Sequence, residues 1–281
     1  MSFAKRLQNR VRSAVQGVTH GYEYGRHLVR GNKFTVDMTW TRPEQPPVVL
    51  VHGFLGTRGT MLPMTRRFQR DGRIVFSYAY GTFNMASLRS SADKLAGHLE
   101  AICDKLGCGR VDLVGYSMGG LIGLHTVKFL AGHRYVRNLV MMGSPLAGTW
   151  VGLAGVATMG VVSPSVWQVL PGSPFLEDLL TAPAPEGVRL RQIHAASDAL
   201  CPPPGPVEGV APRDYIMLPG GHSSLVVTEP FYQACRAFLD VDVDVDVDGA
   251  AEDESVEDGS DVDAVEVDFK AGHKPELRLL G

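Results

Sequence analysis

Ser117 lies in VDLVGYSMGG, where an apolar run ends in a Gly-x-Ser-x-Gly pentapeptide and passes straight into the helix-like stretch LIGLHTVKFLAG. A strand-to-helix turn this tight has no room for a Cβ at its flanking positions, so Gly115 and Gly119 supply the space and the serine Oγ is held up and exposed. The pentapeptide alone is a weak signal in a chain with 32 glycines. Its partners carry the case. Serine attacks a carbonyl at neutral pH only when a base takes its proton, and that base must be held in one tautomer by an acid. Downstream, Asp198 follows LRQIHAAS and His222 follows YIMLPGG, which makes them the candidate acid and base. His222 is preferred among nine histidines because Gly220 and Gly221 place it in a turn past an apolar run. His125 and His133 instead fall on or just past the helix behind the serine. A tetrahedral intermediate also needs donors for its oxyanion. The N–H of Met118, at a helix start where such groups are unpaired, is one candidate. The N–H of Phe54, in the loop after VVLVHGF that Gly53 lets approach closely, is the other, with His52 shaping that loop.

The elements that must position these groups alternate along the chain. Strand candidates are VVLVHGF (48–54), RIVFSYAYG (73–81), VDLVGYS (111–117), NLVMMGSP (138–145), LRQIHAASD (190–198) and DYIMLPGGH (214–222), after an alternating run FTVDMTW at 34–40. Helical stretches are predicted near 59–70, 86–106, 118–131 and 228–239. Short continuous apolar strands separated by helices indicate an α/β domain with a mostly parallel sheet covered on both faces. In such sheets chemistry collects at the carboxyl ends of the strands, where every motif above falls. Residues 146–187 break the rhythm as an apolar insertion and are expected to form a cap or lid. Trp150, Trp167 and Leu170 in it are the candidate substrate contacts, suited to acyl chains rather than to sugars or charged groups.

Three parts emerge. Residues 1–30 form a basic N-terminal segment in which Phe3, Leu7, Val11, Val15 and Val18 recur at helical spacing, either packed on the domain or attached to an anionic membrane surface. Residues 31–239 form the domain, and 240–281 an acidic tail expected to be disordered. The formal net charge of -3 hides this split. Residues 1–239 hold 24 Lys+Arg against 15 Asp+Glu, whereas 240–268 hold 14 Asp+Glu and no Lys or Arg. Asp244, Asp246, Asp248 and Gly249 resemble the opening of an EF-hand loop, but its twelfth position is Ser255, so no metal site is expected. No cofactor and no nucleic-acid partner are expected either. Every apolar stretch is interrupted well before membrane-spanning length, and the N-terminus reads as no secretory signal, which makes the cytoplasm the expected location. The four cysteines are too scattered for a disulfide framework and read as buried thiols, with a Cys201–Cys235 bridge as the alternative.

Taken together, HGFLG, GYSMGG, GSPLAGT, SVWQVLPGSPFLEDL, ASDALCP and GGHSSL resemble the lipases and esterases of the α/β-hydrolase superfamily, especially bacterial triacylglycerol-lipase-like enzymes, over roughly 46–239. The resemblance implies an α/β-hydrolase fold and the triad order Ser117, Asp198, His222, with Phe54 giving the first oxyanion donor. It implies a serine ester hydrolase acting on hydrophobic ester or lipid substrates. An acyltransferase or thioesterase would use the same acyl-enzyme, and a non-catalytic lipid- or membrane-binding protein on this scaffold is the reading from another class.

Overall fold

Apolar runs of four to seven residues become six strands: β1 (Val48–Val51), β2 (Val75–Tyr78), β3 (Val111–Tyr116), β4 (Val136–Met142), β5 (Arg189–Ala195) and β6 (Tyr215–Leu218). The computed structural model describes residues 19–31, 40–78, 85–150 and 163–241, and the backbone of two short strands at 265–267 and 277–279. The six strands form one sheet in the order β2-β1-β3-β4-β5-β6, and every neighbouring pair is parallel. All their carboxyl ends therefore share one edge.

The helices are α1 (residues 19–29), α2 (Leu62–Arg70), α3 (Leu88–Leu106), α4 (Met118–Phe129), α5 (Pro164–Gln168), α6 (Pro174–Thr181), α7 (Ser224–Val227) and α8 (Glu229–Leu239). Because strand side chains alternate, one sheet serves two cores. Val49, Val51, Leu113, Leu139 and Met141 pack with Leu95, Leu121, Phe175 and Leu179 of α3, α4 and α6. Val48, Leu50, Val114, Val140 and Met142 pack with Phe68, Leu225 and Phe238 of α2, α7 and α8. This two-sided burial is why the strands read as unbroken apolar runs. Helix α4 is buried from Met118 through Val127, so it too is apolar on nearly every side.

Of the insertion expected as a cap, residues 151–162 lie outside the described residues, and the second half joins the main core. Val169, Phe175, Leu176 and Leu179 belong to the same cluster as α3 and α4. Gln168 Oε1 accepts the Leu88 N–H at 2.7 Å, at the start of α3. Ser173 caps α6 by accepting the Leu176 N–H at 3.3 Å, with Pro174 at the first helical position. The N-terminal apolar pattern at 3–18 and the strand expected at 34–40, apart from Trp40, also fall outside the described residues, as does 242–264 of the tail. Farther along, Val265–Val267 pairs antiparallel with Leu277–Leu279. All four cysteines are free thiols, so the alternative Cys201–Cys235 bridge is not formed. Among the described residues no helix is long and apolar enough to cross a membrane, and no cluster of three or more His, Cys, Asp or Glu is arranged to hold a metal.

At the amino edge of the sheet the buried carboxylate of Asp112 ties three segments together. It accepts from the buried Arg73, from Arg137 Nη2 at 3.1 Å and from Asn138 Nδ2 at 2.7 Å. Arg137 also donates to the Leu239 carbonyl at 2.7 Å, which fastens the end of α8. Removing one member of such a network leaves an uncompensated buried charge. Asp112→Asn is therefore expected to lower unfolding free energy by about 3–5 kcal/mol, read as a lower urea midpoint at unchanged slope.

Candidate active site

Ser117 closes β3 and opens α4 at φ 55° and ψ -126°, a left-handed backbone for a residue with a side chain. Packing enforces this conformation. A Cβ on Gly119 would stand 2.2 Å from the Val51 carbonyl oxygen, and one on Gly115 would stand 2.5 Å from the backbone of Gly119 and Gly120. The Ser117 N–H donates to the Met142 carbonyl at 2.8 Å, locking the turn to β4. Met118 follows as the first residue of α4, where the N–H groups have no partner inside the helix.

The loop after β1 comes up against the serine from the other side. A Cβ on Gly53 would lie 2.8 Å from Ser117 Cβ, so this backbone runs directly beside Ser117, with half-buried Phe54 the next residue along. His52 is buried, and its Nδ1 donates to the Gly53 carbonyl at 3.0 Å. Burial pushes its pKa down to about 4, so the ring is neutral and braces the loop.

Asp198 and His222, the loops after β5 and β6, are hydrogen-bonded to each other. Asp198 Oδ2 and His222 Nδ1 are 2.6 Å apart. The other oxygen, Oδ1, accepts the N–H groups of Leu200 at 3.0 Å and Cys201 at 2.8 Å. Both carboxylate oxygens are thus satisfied although Asp198 is buried. A bond to a carboxylate requires Nδ1 to donate, so a neutral imidazole held in this way carries its lone pair on Nε2. Tyr116 supports the ring from below: the ring centroids are 4.9 Å apart, and the tyrosine hydroxyl donates to the His222 carbonyl at 3.3 Å. Gly143, at φ 60°, lets the end of β4 pass beneath the pair, since a Cβ there would meet Leu225 at 2.3 Å.

The serine hydroxyl itself points elsewhere. Among the described residues its hydrogen-bond partner is the Sγ of Cys201 at 3.9 Å, not His222. Burial, followed by the charge of Asp198, pushes the Cys201 pKa up to about 12, so this group is a thiol rather than a competing thiolate nucleophile. The neighbouring His194 is likewise no rival base, because burial pushes its pKa down to about 4. Cys201, Tyr116 and Gly143 are site residues that motif reading did not single out. Cys201 alone left a trace, as the third residue after Asp198.

The candidate substrate contacts are arranged less tightly. Thr149 N–H donates to the Val169 carbonyl at 2.9 Å and its hydroxyl donates to the Leu200 carbonyl, so the backbone leading into Trp150 is tied to both the Val169 stretch and the Asp198 loop. Trp150 is 71% exposed and Trp167, on α5, is 52% exposed, while Leu170 is half-buried. Leu55 and Leu200, on the loops after β1 and β5, are exposed as well.

Residues 46–161 match a family model described as the alpha/beta hydrolase fold. No curated protein matches the sequence. Among solved structures, the chain is similar to the lipase BlEst2 of Bacillus licheniformis. The mature form aligns with a TM-score of 0.57 at 15% identity, covering 75% of this chain and 96% of that one. The propeptide form aligns at 0.58 and 15%, covering 78% and 54%, so this chain spans about half of that form's length. A structure described under LipS and LipT, two metagenome-derived lipolytic enzymes, aligns at 0.51 and 16%, covering 69% and 94%. What is common at such identities is the architecture, with a parallel sheet wrapped by helices and its loops gathered at one edge. With its six parallel strands and the match over residues 46–161, the chain has the α/β-hydrolase fold.

Proposed function

We propose that the chain is a serine carboxylic ester hydrolase for apolar acyl esters, working through an acyl-Ser117 intermediate. The observation that carries this reading is the 2.6 Å bond between Asp198 and His222, beside a serine held at positive φ. An acid–imidazole pair oriented in this way is a base waiting for a proton, and the hydroxyl on the elbow is its source. Ser117 Oγ first turns from Cys201 toward His222 Nε2, a bond that in resting enzymes is often long and tightens with substrate. As Oγ attacks the acyl carbon, Nε2 takes the hydroxyl proton, and the carbonyl oxygen gathers negative charge facing the N–H groups of Phe54 and Met118. The imidazolium then gives that proton to the departing alcohol oxygen. Water repeats the sequence on the acyl-enzyme, losing a proton to Nε2, and the carboxylic acid leaves as Ser117 regains its hydrogen.

Exposed Trp150, Trp167, Leu55 and Leu200 support an apolar acyl group. The lipase descriptions of the similar structures point the same way. Peripheral contact with an anionic membrane through the basic N-terminal segment belongs to this reading. Its support is the outer face of α1, where Tyr22, Arg26, Val29 and Arg30 are exposed at helical spacing. Liposome co-sedimentation of Ser117→Ala checks that contact apart from any chemistry.

A fluorophosphonate is expected to label Ser117, located by mass spectrometry, and Ser117→Ala to lower kcat on p-nitrophenyl esters by about a million-fold. Esterase activity retained in that variant rules the assignment out. Asp198→Asn keeps the shape but no longer fixes the tautomer, and kcat is expected to fall about 10⁴-fold. Cys201→Ser retains the backbone N–H that Asp198 accepts, so its kcat is expected to stay within about tenfold, or 1.4 kcal/mol, of the parent. A loss as large as that of Ser117→Ala would instead make the thiol part of the chemistry.

A further inference from the structure

Helix α1 is fastened at both ends by hydrogen bonds to segments beside the candidate active site. At its start, His20 Nδ1 and Ser224 Oγ are 2.8 Å apart, linking positions 204 residues distant. Ser224 is buried, and the same oxygen accepts the Gly221 N–H at 3.2 Å while the Ser224 N–H donates to the Gly221 carbonyl at 3.0 Å. His222 sits inside this small ring of bonds. One turn on, Tyr24 packs on Tyr116 with ring centroids 6.0 Å apart, its hydroxyl beside those of Tyr116 and Thr60. Tyr116 is the residue that stacks under the His222 ring and donates to its carbonyl. At the far end the Leu28 carbonyl accepts the Thr57 hydroxyl at 3.2 Å, and the Gly31 carbonyl accepts the Gly59 N–H at 3.0 Å, just past the Phe54 loop.

Two separate paths thus run from α1 to the two sides of the histidine turn. One reaches the N–H of Gly221 through His20 and Ser224, and the other reaches the carbonyl of His222 through Tyr24 and Tyr116. We propose that α1 is a positioning element of the catalytic apparatus, with His20 and Tyr24 holding the turn that carries His222 in register with Ser117. The proposal rests on the ester-hydrolase reading. Its physical basis is that a turn containing two adjacent glycines, Gly220 and Gly221, has little stiffness of its own, whereas proton transfer from Ser117 requires the imidazole in one place. A displacement of about 1 Å at a reacting group costs roughly 100-fold in rate.

The test uses the full chain. His20→Ala is expected to lower kcat on p-nitrophenyl butyrate by about 10- to 100-fold with KM unchanged, and to slow fluorophosphonate labelling in parallel. His20→Asn, whose amide occupies the place of Nδ1, is expected to restore most of the loss. Ser224→Ala, which also removes the acceptor of the Gly221 N–H, is expected to lose at least as much as His20→Ala, and the double variant to be no worse than Ser224→Ala alone, since His20 acts through Ser224. Glu23→Ala, at an exposed position of α1 outside both paths and outside the proposed membrane face, serves as the control and is expected to leave kcat unchanged. The downfield proton resonance of the His222 Nδ1–H is expected to shift or broaden in His20→Ala and in Tyr24→Phe. Parental kcat and an unmoved resonance in His20→Ala overturn the proposal. So do equal losses in His20→Ala and Glu23→Ala, or a fall in kcat that tracks a fall in melting temperature. If the parent protein neither cleaves esters nor labels at Ser117, the hydrolase reading fails by itself, and the His222 resonance still decides whether α1 holds the histidine turn.

Discussion

A serine at φ 55° occupies backbone space that a side chain disfavours by about 1–3 kcal/mol, and it stays there because nothing around it can give. The Val51 carbonyl blocks any outward movement of Gly119, the backbone of α4 presses on Gly115, and the Ser117 N–H is bonded to Met142. These contacts come from β1, β3 and β4, adjacent strands at the middle of the sheet. The strain is therefore held against three adjacent strands inside the sheet. Its consequence is positional: the hydroxyl stands above the carboxyl edge, where parallel pairing also delivers the loops bearing Phe54, Asp198 and His222.

The two edges of the sheet treat buried charge in opposite ways. At the amino edge Asp112 is surrounded by Arg73, Arg137 and Asn138, a closed network that links β3, β4 and the end of α8. Its members are committed to one another, which suits a structural role. At the carboxyl edge Asp198 is satisfied just as fully, by two backbone N–H groups and one imidazole. The difference lies in the partner. An imidazole bound through Nδ1 still has its other nitrogen, Nε2, outside that bond, so a fully bonded carboxylate here leaves its partner with a second nitrogen to offer.

The α/β architecture was legible because burial on both faces writes itself as short apolar runs, and each of the six predicted strands overlaps one in the sheet. Boundaries were less so: the run ending at Pro145 yields a strand that stops at Met142, because Gly143 must turn left-handed beneath Leu225. The insertion after β4 read as a cap or lid, and its apolar content alone does not say what it faces. In its described part, Phe175 and Leu179 belong to the same core cluster as α4. Tyr116 escaped notice as one more buried strand residue, although its ring and hydroxyl both meet His222. Cys201 looked like a bland thiol, and only proximity shows that it is what the resting serine touches.

By itself the amino-acid order pointed to the chemistry: a serine between two glycines that the turn requires, and an acid and a histidine each following an apolar run. These follow from local rules, because strand, turn and helix starts depend on neighbours a few residues away. Only the tertiary structure decided that Asp198 and His222 are bonded at 2.6 Å, that Ser117 rests against Cys201, and that α1 reaches back to Ser224. Those are contacts between segments as much as 204 residues apart, and no spacing along a chain encodes them. They arise where a parallel sheet brings its loops to one edge and side-chain packing selects which atoms meet.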